Sequence, residues 1–228
     1  MRGIGETVRA IEARVLLSAL VPVLSFVAFV GVAEEVTEGE LEDVDRAILL
    51  AFRTPGDPSD PLGPPWFESF MRDISALGGL PVLLLVCLAI GGYLLLKKRR
   101  FAAGLLAASA LGGLFLSFGL KTFFGRPRPD VVPHLTHVAS ASFPSGHASM
   151  SAVIYLTIAA LLANHTPEPR LKIYCFTVAL LLAGLVGLSR IYAGVHYPTD
   201  VVGGWALGLG WATLVWLVAR RLERRGKA

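Results

Sequence analysis

Six stretches of this chain are each apolar enough to cross a bilayer, and nothing else constrains its fold as strongly. A transmembrane helix needs about 20 mostly apolar residues to span the hydrocarbon core. Residues 15–33, 76–96, 101–120, 148–163, 173–188 and 201–219 fit that pattern. The fourth and fifth are the shortest and need flanking residues to complete the crossing. Bulk composition agrees, with 54% hydrophobic and 17% charged residues, against about 25% charged in soluble domains. So much apolar surface also excludes a disordered chain. The expected fold is all-α: one polytopic bundle of six transmembrane helices, a single membrane-embedded domain over residues 1–228. There is no internal repeat and no low-complexity tract. Cys87 and Cys175 lie inside apolar runs and indicate neither a disulfide framework nor a zinc site.

Lys and Arg in short loops set orientation. Arg2, Arg9, Arg14, Lys97, Lys98, Arg99, Arg100, Arg170, Lys172, Arg220, Arg221, Arg224, Arg225 and Lys227 fall on one side, 14 of the 21 basic residues. That side is expected to be cytoplasmic, with both termini inside. The formal charge of +4 is then mostly a topology signal, and nucleic acid is not an expected partner. Gly31-Val32-Ala33 resembles a signal-cleavage site, but the apolar run before it exceeds the usual 7–15 residues or so. A retained helix is expected. Short loops and the lack of a transit peptide suggest a bacterial inner membrane.

The first outer loop, residues 34–75, holds 11 of the 17 acidic residues and several prolines. Within it Trp66, Phe67, Phe70, Met71 and Ile74 recur at helical spacing, as in an amphipathic helix lying on the membrane surface. The segment reads as a solvated connector with an interfacial anchor, with a substrate-guiding lid as the alternative.

The remaining outer positions are anomalous. Lys121, Arg126, Arg128 and Arg190 sit where the positive-inside rule disfavours them. His134, His137, His147 and His196 share that face, offset only by Asp130 and Asp200, whereas His165 and Glu168 fall on the other side. Charge placed against the topology rule beside a low-dielectric slab marks function, and the natural partner of such a cluster is an anion. Pro144-Ser145-Gly146-His147 stands just before the fourth span. Ser145 can cap that helix and Gly146 lets a ligand approach the backbone, at a helix N-terminus suited to phosphate. Arginines add bidentate donors for phosphate oxygens, and Lys121 a compact charge. His196 precedes Asp200 by four residues, so the carboxylate can fix one imidazole nitrogen and leave the other free to attack or to shuttle protons. Each piece alone has a bland reading, as an interfacial anchor or a helix cap. Gly204 and Gly208 read as close helix packing, and Trp205, Trp211 and Trp216 as lipid or packing residues. The convergence of three loops is what carries the inference.

The spacing of these residues resembles the type 2 phosphatidic acid phosphatase family. Lys121, six residues and Arg128-Pro129 are similar to its first signature, Pro144-Ser145-Gly146-His147 to its second, and Ser189-Arg190 with His196 and Asp200 to its third. The resemblance covers about the last two-thirds of the chain, with the motifs in residues 121–200. It implies metal-independent hydrolysis of a lipid phosphate monoester or diphosphate at the extracytoplasmic end of the bundle, with no cofactor. Phosphatidic acid, phosphatidylglycerol phosphate and polyprenyl diphosphate are substrates of the implied type, as is phosphorylated lipid A. His196 would be the nucleophile, forming a phosphohistidine, and Asp200 would orient it. His147 would be general acid and then base. Lys121, Arg128, Arg190, Ser145 and the Gly146 amide would hold the phosphoryl oxygens.

That assignment agrees with the residues read unaided, since no carboxylate cluster is in view to hold magnesium. Arg126, His134 and His137 are expected to be accessory, acting on head-group selectivity. Soluble vanadate-dependent haloperoxidases share the pattern, but six apolar spans argue against one. A non-catalytic lipid head-group binding or transport protein would show a damaged triad, whereas His147, His196 and Asp200 are all present. The oligomeric state is left open by the sequence.

Overall fold

The structure, a computed structural model, describes residues 2–136, 140–164 and 166–225. The side chains of residues 2–18, 224 and 225 lie outside the described set, and so do His137, His165 and Lys227. Eight helices follow in chain order: α1 (Arg2–Glu38), α2 (Glu42–Ala51), α3 (Pro65–Ala76), α4 (Leu80–Leu96), α5 (Arg100–Phe124), α6 (Gly146–Asn164), α7 (Pro169–Tyr192) and α8 (Pro198–Arg225). Between α2 and α3 a small antiparallel hairpin pairs β1 (Arg53–Thr54) with β2 (Asp57–Pro61).

Five helices are long and apolar enough to cross a membrane alone: Ala19–Glu38 of α1, then α5, α6, α7 and Pro198–Glu223 of α8. The sixth crossing is α4, joined to the amphipathic α3 across a 50° bend. The break falls at Leu77-Gly78-Gly79, with Pro81 in the first turn of α4. Gly78 is there because α7 and α6 come close, a Cβ at this position falling 2.3 Å from Val186 Cγ1 and 3.3 Å from both Cβ and the carbonyl oxygen of His147. The apolar run read from residue 76 therefore divides: residues 76–79 belong to the bend, and the lipid-crossing helix begins at Leu80.

Helix α6 is the centre of the bundle, packed on α8, α7 and α5. Its face is small and its hydroxyls are satisfied locally. Ser151 donates to Ala148 O and Thr157 to Val153 O, while Ser109 of α5 meets Thr157 at 2.7 Å. Without a hydrophobic drive between helices in lipid, such close packing and interhelical hydrogen bonding hold a bundle together. The approach of α8 is closest at Gly204 and Gly208. A Cβ on Gly208 would lie 2.5 Å from Ser149 O, and one on Gly204 2.8 Å from Ser145 O. Trp205 and Trp211 pack inward and donate to Ala183 O and Ser109 O, both at 2.9 Å. The outer faces of α1, α4, α5 and α7 expose Leu24, Leu85, Phe115 and Ile173, an apolar belt suited to acyl chains.

The acidic outer segment is more than a solvated connector. Asp45 and Leu49 of α2 are buried, Leu49 in a cluster with Ala148, Ile191, Tyr197 and Val201. Met71 and Ser75 of α3 are buried as well. Arg53 Nη1 donates to Tyr192 O at 3.0 Å, tying the hairpin to the end of α7.

Replacing Gly208 by leucine is expected to cost about 1–3 kcal/mol through overpacking, read as a lower thermal midpoint of the detergent-solubilised protein. Gly184→Ala on α7, where a Cβ would meet nothing within 4 Å, is the control and is expected to keep or slightly raise the midpoint.

Candidate active site

Three chain segments converge on one end of the bundle. The first leaves α5 at Lys121, turns at Gly125 in the left-handed region (φ 57°) and brings residues 126–136 and 140–144 to the helix ends. The second is the start of α6 at Gly146. The third is the α7–α8 turn, from Arg190 to Asp200. There Gly194 takes φ 71°, a backbone state that side-chain-bearing residues rarely adopt, and a Cβ would come within 2.7 Å of the Arg53 guanidinium.

His196 and Asp200 form the buried centre. His196 Nδ1 lies 3.3 Å from Asp200 Oδ2, with 2% and 0% of the two side chains exposed. The same carboxylate oxygen accepts the Tyr197 amide at 2.8 Å and a short hydrogen bond from Ser142. Asp200 Oδ1 accepts Arg126 Nη1 at 2.7 Å. With Nδ1–H directed at the carboxylate, Nε2 carries the lone pair and accepts Arg128 Nη1 at 3.3 Å. Burial pushes the His196 imidazole down to about 4, against the hydrogen bond and charge of Asp200, which raise it. The ring is therefore neutral at pH 7.

The cations around this pair are held mainly by neutral acceptors. Lys121 Nζ donates to Ala141 O (2.7 Å) and Ser142 O (3.3 Å). Arg128 donates to Ser140 O and Val195 O. Arg190, 3% exposed, donates to Ser75 Oγ at 2.6 Å, and its Nε has no hydrogen-bond partner among the described residues. Ser145 Oγ is fully buried and likewise unpaired at the start of α6. His147, in the first turn of α6, stands in the field of Arg190, His196, Lys121 and Arg128. Buried donors without partners are costly, and Arg190 Nε and Ser145 Oγ are two such groups set among these cations, a combination suited to an oxyanion.

Every residue singled out in the signatures thus lies at this end of the bundle. Two others differ from expectation. Arg126 is locked between two carboxylates, with Nη2 on Asp45 at 2.9 Å and Nη1 on Asp200, and it stacks 4.2 Å over the Tyr197 ring. It is committed to Asp200 and not to a head group. His134 spends Nε2 on Pro129 O at 2.7 Å, within its own loop. Asp45, Ser75 and Ser142 were not anticipated. Asp45 caps α8 from a distance, accepting the Thr199 amide at 3.0 Å and the Thr199 hydroxyl. Its sequence signal is faint: Asp45 and Leu49 lie four residues apart, on the face that α2 buries.

Fold and site together define a multi-pass membrane protein with a buried histidine, backed by a carboxylate, among Lys121, Arg128 and Arg190 at one end of the bundle. Residues 101–224 match the PAP2 superfamily, and the chain belongs to that family. Phosphatidylglycerophosphatase B of Bacillus subtilis is 35% identical over 190 residues, covering 82% of this chain and 89% of that one. Lipid A 1-phosphatase of Rhizobium etli is 32% identical over 157 residues, 58% of this chain and 62% of its own. The crystal structure of a transmembrane PAP2 type phosphatidylglycerolphosphate phosphatase from Bacillus subtilis superposes with a TM-score of 0.81 at 32% identity, over 89% of this chain and 97% of that one.

Removing one partner of a buried ion pair costs about 3–5 kcal/mol. Asp45→Ala is expected near the lower figure, because Arg126 keeps Asp200. The measurement is thermal unfolding in detergent, where Asp45→Asn should retain the α8 cap and fall between wild type and alanine.

Proposed function

We propose that the protein is a metal-independent lipid phosphate phosphatase that works through a phosphohistidine on His196. The observation that carries this reading is the buried His196–Asp200 pair, its unprotonated Nε2 held by Arg128 and near Lys121. In the first step His196 Nε2 attacks phosphorus in line, a P–N bond forms and the P–O bond to the lipid breaks. His147 gives its proton to the departing oxygen. In the second step His147 takes a proton from water, which attacks phosphorus; the P–N bond breaks, and orthophosphate and free His196 result. Asp200 holds Nδ1–H and stabilises the positive charge that the ring acquires. Lys121, Arg128, Arg190, Ser145 and the Gly146 amide hold the equatorial oxygens, supplying the electrostatic stabilisation on which phosphoryl transfer depends.

A lipid phosphate of the phosphatidylglycerol phosphate type leads the candidates, since the relative with that activity in its name spans 82% of the chain. Polyprenyl diphosphate is the next. The basic residues gathered at the opposite end of the bundle support an inner (cytoplasmic) membrane setting, with both termini cytoplasmic and the site outside. On this reading residues 1–228 are one phosphatase domain, 34–75 its outer segment and 121–200 its catalytic region.

Phosphate release from a panel of lipid mono- and diphosphates, in detergent with excess chelator, is expected to persist in wild type and vanish in His196→Ala. Acid-labile, base-stable label from a [32P]lipid phosphate should appear in wild type and be absent from that variant. His147→Asn should slow turnover by about 10²–10⁴-fold, the usual worth of positioned acid–base catalysis. A folded protein that releases no phosphate from any lipid would point instead to head-group binding or transport.

The pH dependence has a definite sign. The neutral His196 ring is the reactive form, so kcat/KM should rise as pH climbs through about 4. A His196 ring that titrates near 6.5, the ordinary imidazole value, by NMR in the substrate-free protein would contradict its burial.

A further inference from the structure

The end of the bundle remote from His196 carries a second concentration of positive charge, and there it borders a cleft of about 380 Å³. The walls come from the α4–α5 turn, the start of α5, the end of α6 and the last turns of α8. Lys98, Arg99, Arg100 and Arg220 line the cleft with Trp216, and Glu223 is the one carboxylate among the described lining residues. Topology alone asks for positive charge in the loop, but not for a cleft. Three further features lie outside that rule.

The first is an uncapped helix start. The leading hydrogen bond of α5 runs from the Ala103 amide to Arg99 O (3.1 Å), so the amides of residues 100–102 precede it. No side chain caps the helix and its first turn has no acidic residue. A helix N-terminus carries partial positive charge that disfavours cations, yet Arg99 and Arg100 stand on it. The second is the turn itself, where Lys98 adopts φ 57°, unusual for a residue with a side chain. The third is an aromatic platform: the Arg220 guanidinium stacks 4.6 Å from the Trp216 ring centroid. Cations, free amides and a helix dipole of one sign repel one another until an anion joins them. The cleft also has apolar walls, such as Leu105, and Phe101 at its rim is 45% exposed on the lipid-facing side.

We propose that this cleft holds the head-group phosphate of an anionic phospholipid from the adjoining leaflet, with the acyl chains lying along α5 and α8. Basic pockets between transmembrane helices take such head groups, and the apolar walls select an amphiphile over a soluble anion. The bound lipid neutralises the α5 start and bridges α5, α6 and α8 at the end opposite the catalytic cleft.

Full-length protein is reconstituted in nanodiscs of phosphatidylcholine with a minority of phosphatidylglycerol, released into mild detergent, and its retained lipids are counted by native mass spectrometry. Wild type is expected to retain phosphatidylglycerol in preference to phosphatidylcholine. The Arg99→Gln, Arg100→Gln, Arg220→Gln triple variant should bind it about 100-fold more weakly, at roughly 1 kcal/mol per basic residue. Lipid held in the His196 site contributes equally to both proteins, so the difference isolates the cleft. Folding of the variant is checked by its elution profile and thermal midpoint. Arg220→Gln alone leaves the loop charge intact and should weaken retention about fivefold. Equal retention of the two lipids by wild type, or undiminished retention by Arg220→Gln or a folded triple variant, would overturn the proposal. So would full displacement by millimolar inorganic phosphate, which would identify a soluble-anion site.

Discussion

The salt bridges of Arg126 to Asp200 and Asp45 are the interactions on which the rest of the outer end depends. Burying a carboxylate costs several kcal/mol unless charge and hydrogen bonds compensate. Asp200 is fully buried, and it is compensated by Arg126 on one oxygen and by Ser142, the Tyr197 amide and His196 on the other. That same arginine reaches back to α2, where Asp45 closes the start of α8 through Thr199. Three segments remote in sequence are thereby fixed to one another around the ring of His196. Lys121 and Arg190 can then remain bonded to carbonyls and a hydroxyl, because the carboxylates nearby are already engaged.

The bundle beneath makes this placement rigid. Gly204 and Gly208 bring α8 against α6 so closely that Ser145 N reaches Asp200 O at 2.9 Å. A helix-packing contact and a contact between two signature motifs are thus one and the same. Lateral movement of α8 would shift Asp200 and the α6 N-terminus together, so the relation between the His196–Asp200 pair and the start of α6 is set by packed backbone. Catalysis by positioning tolerates little error, and glycine at the crossing removes the slack that longer side chains would introduce.

The crossings were legible because long apolar runs have few alternatives, and Lys121, Arg128, Ser145, Arg190, His196 and Asp200 because polar residues beside such runs are conspicuous. Asp45 was illegible for the converse reason: it is one acid among many in residues 34–75, and only its tertiary partner, Arg126, distinguishes it. The ten residues of α2 were likewise hidden, since half of its first turns are charged and its apolar side shows only once Leu49 is seen to be buried. The β1–β2 hairpin reads as prolines and aspartates, with no strand pattern. The division of residues 76–96 at the Gly78-Gly79 bend was concealed by continuous hydropathy, which registers length and not direction.

Burial separates the two sets of cations in this molecule. Arg190 is 3% exposed and keeps a donor unpaired, whereas Arg220 lies exposed at the far end with its guanidinium on an indole. The charge balance at the outer end follows from the same distinction. Asp45, Arg126 and Asp200 together carry one negative charge, and Lys121, Arg128 and Arg190 carry three positive ones. The excess is two, or three when His147 carries its proton, and on the proposed reading it suits a phosphate monoester dianion. On the proposed mechanism His196 gains positive charge on attack while negative charge passes to the departing oxygen, and donors fixed before the substrate arrives need no reorganisation.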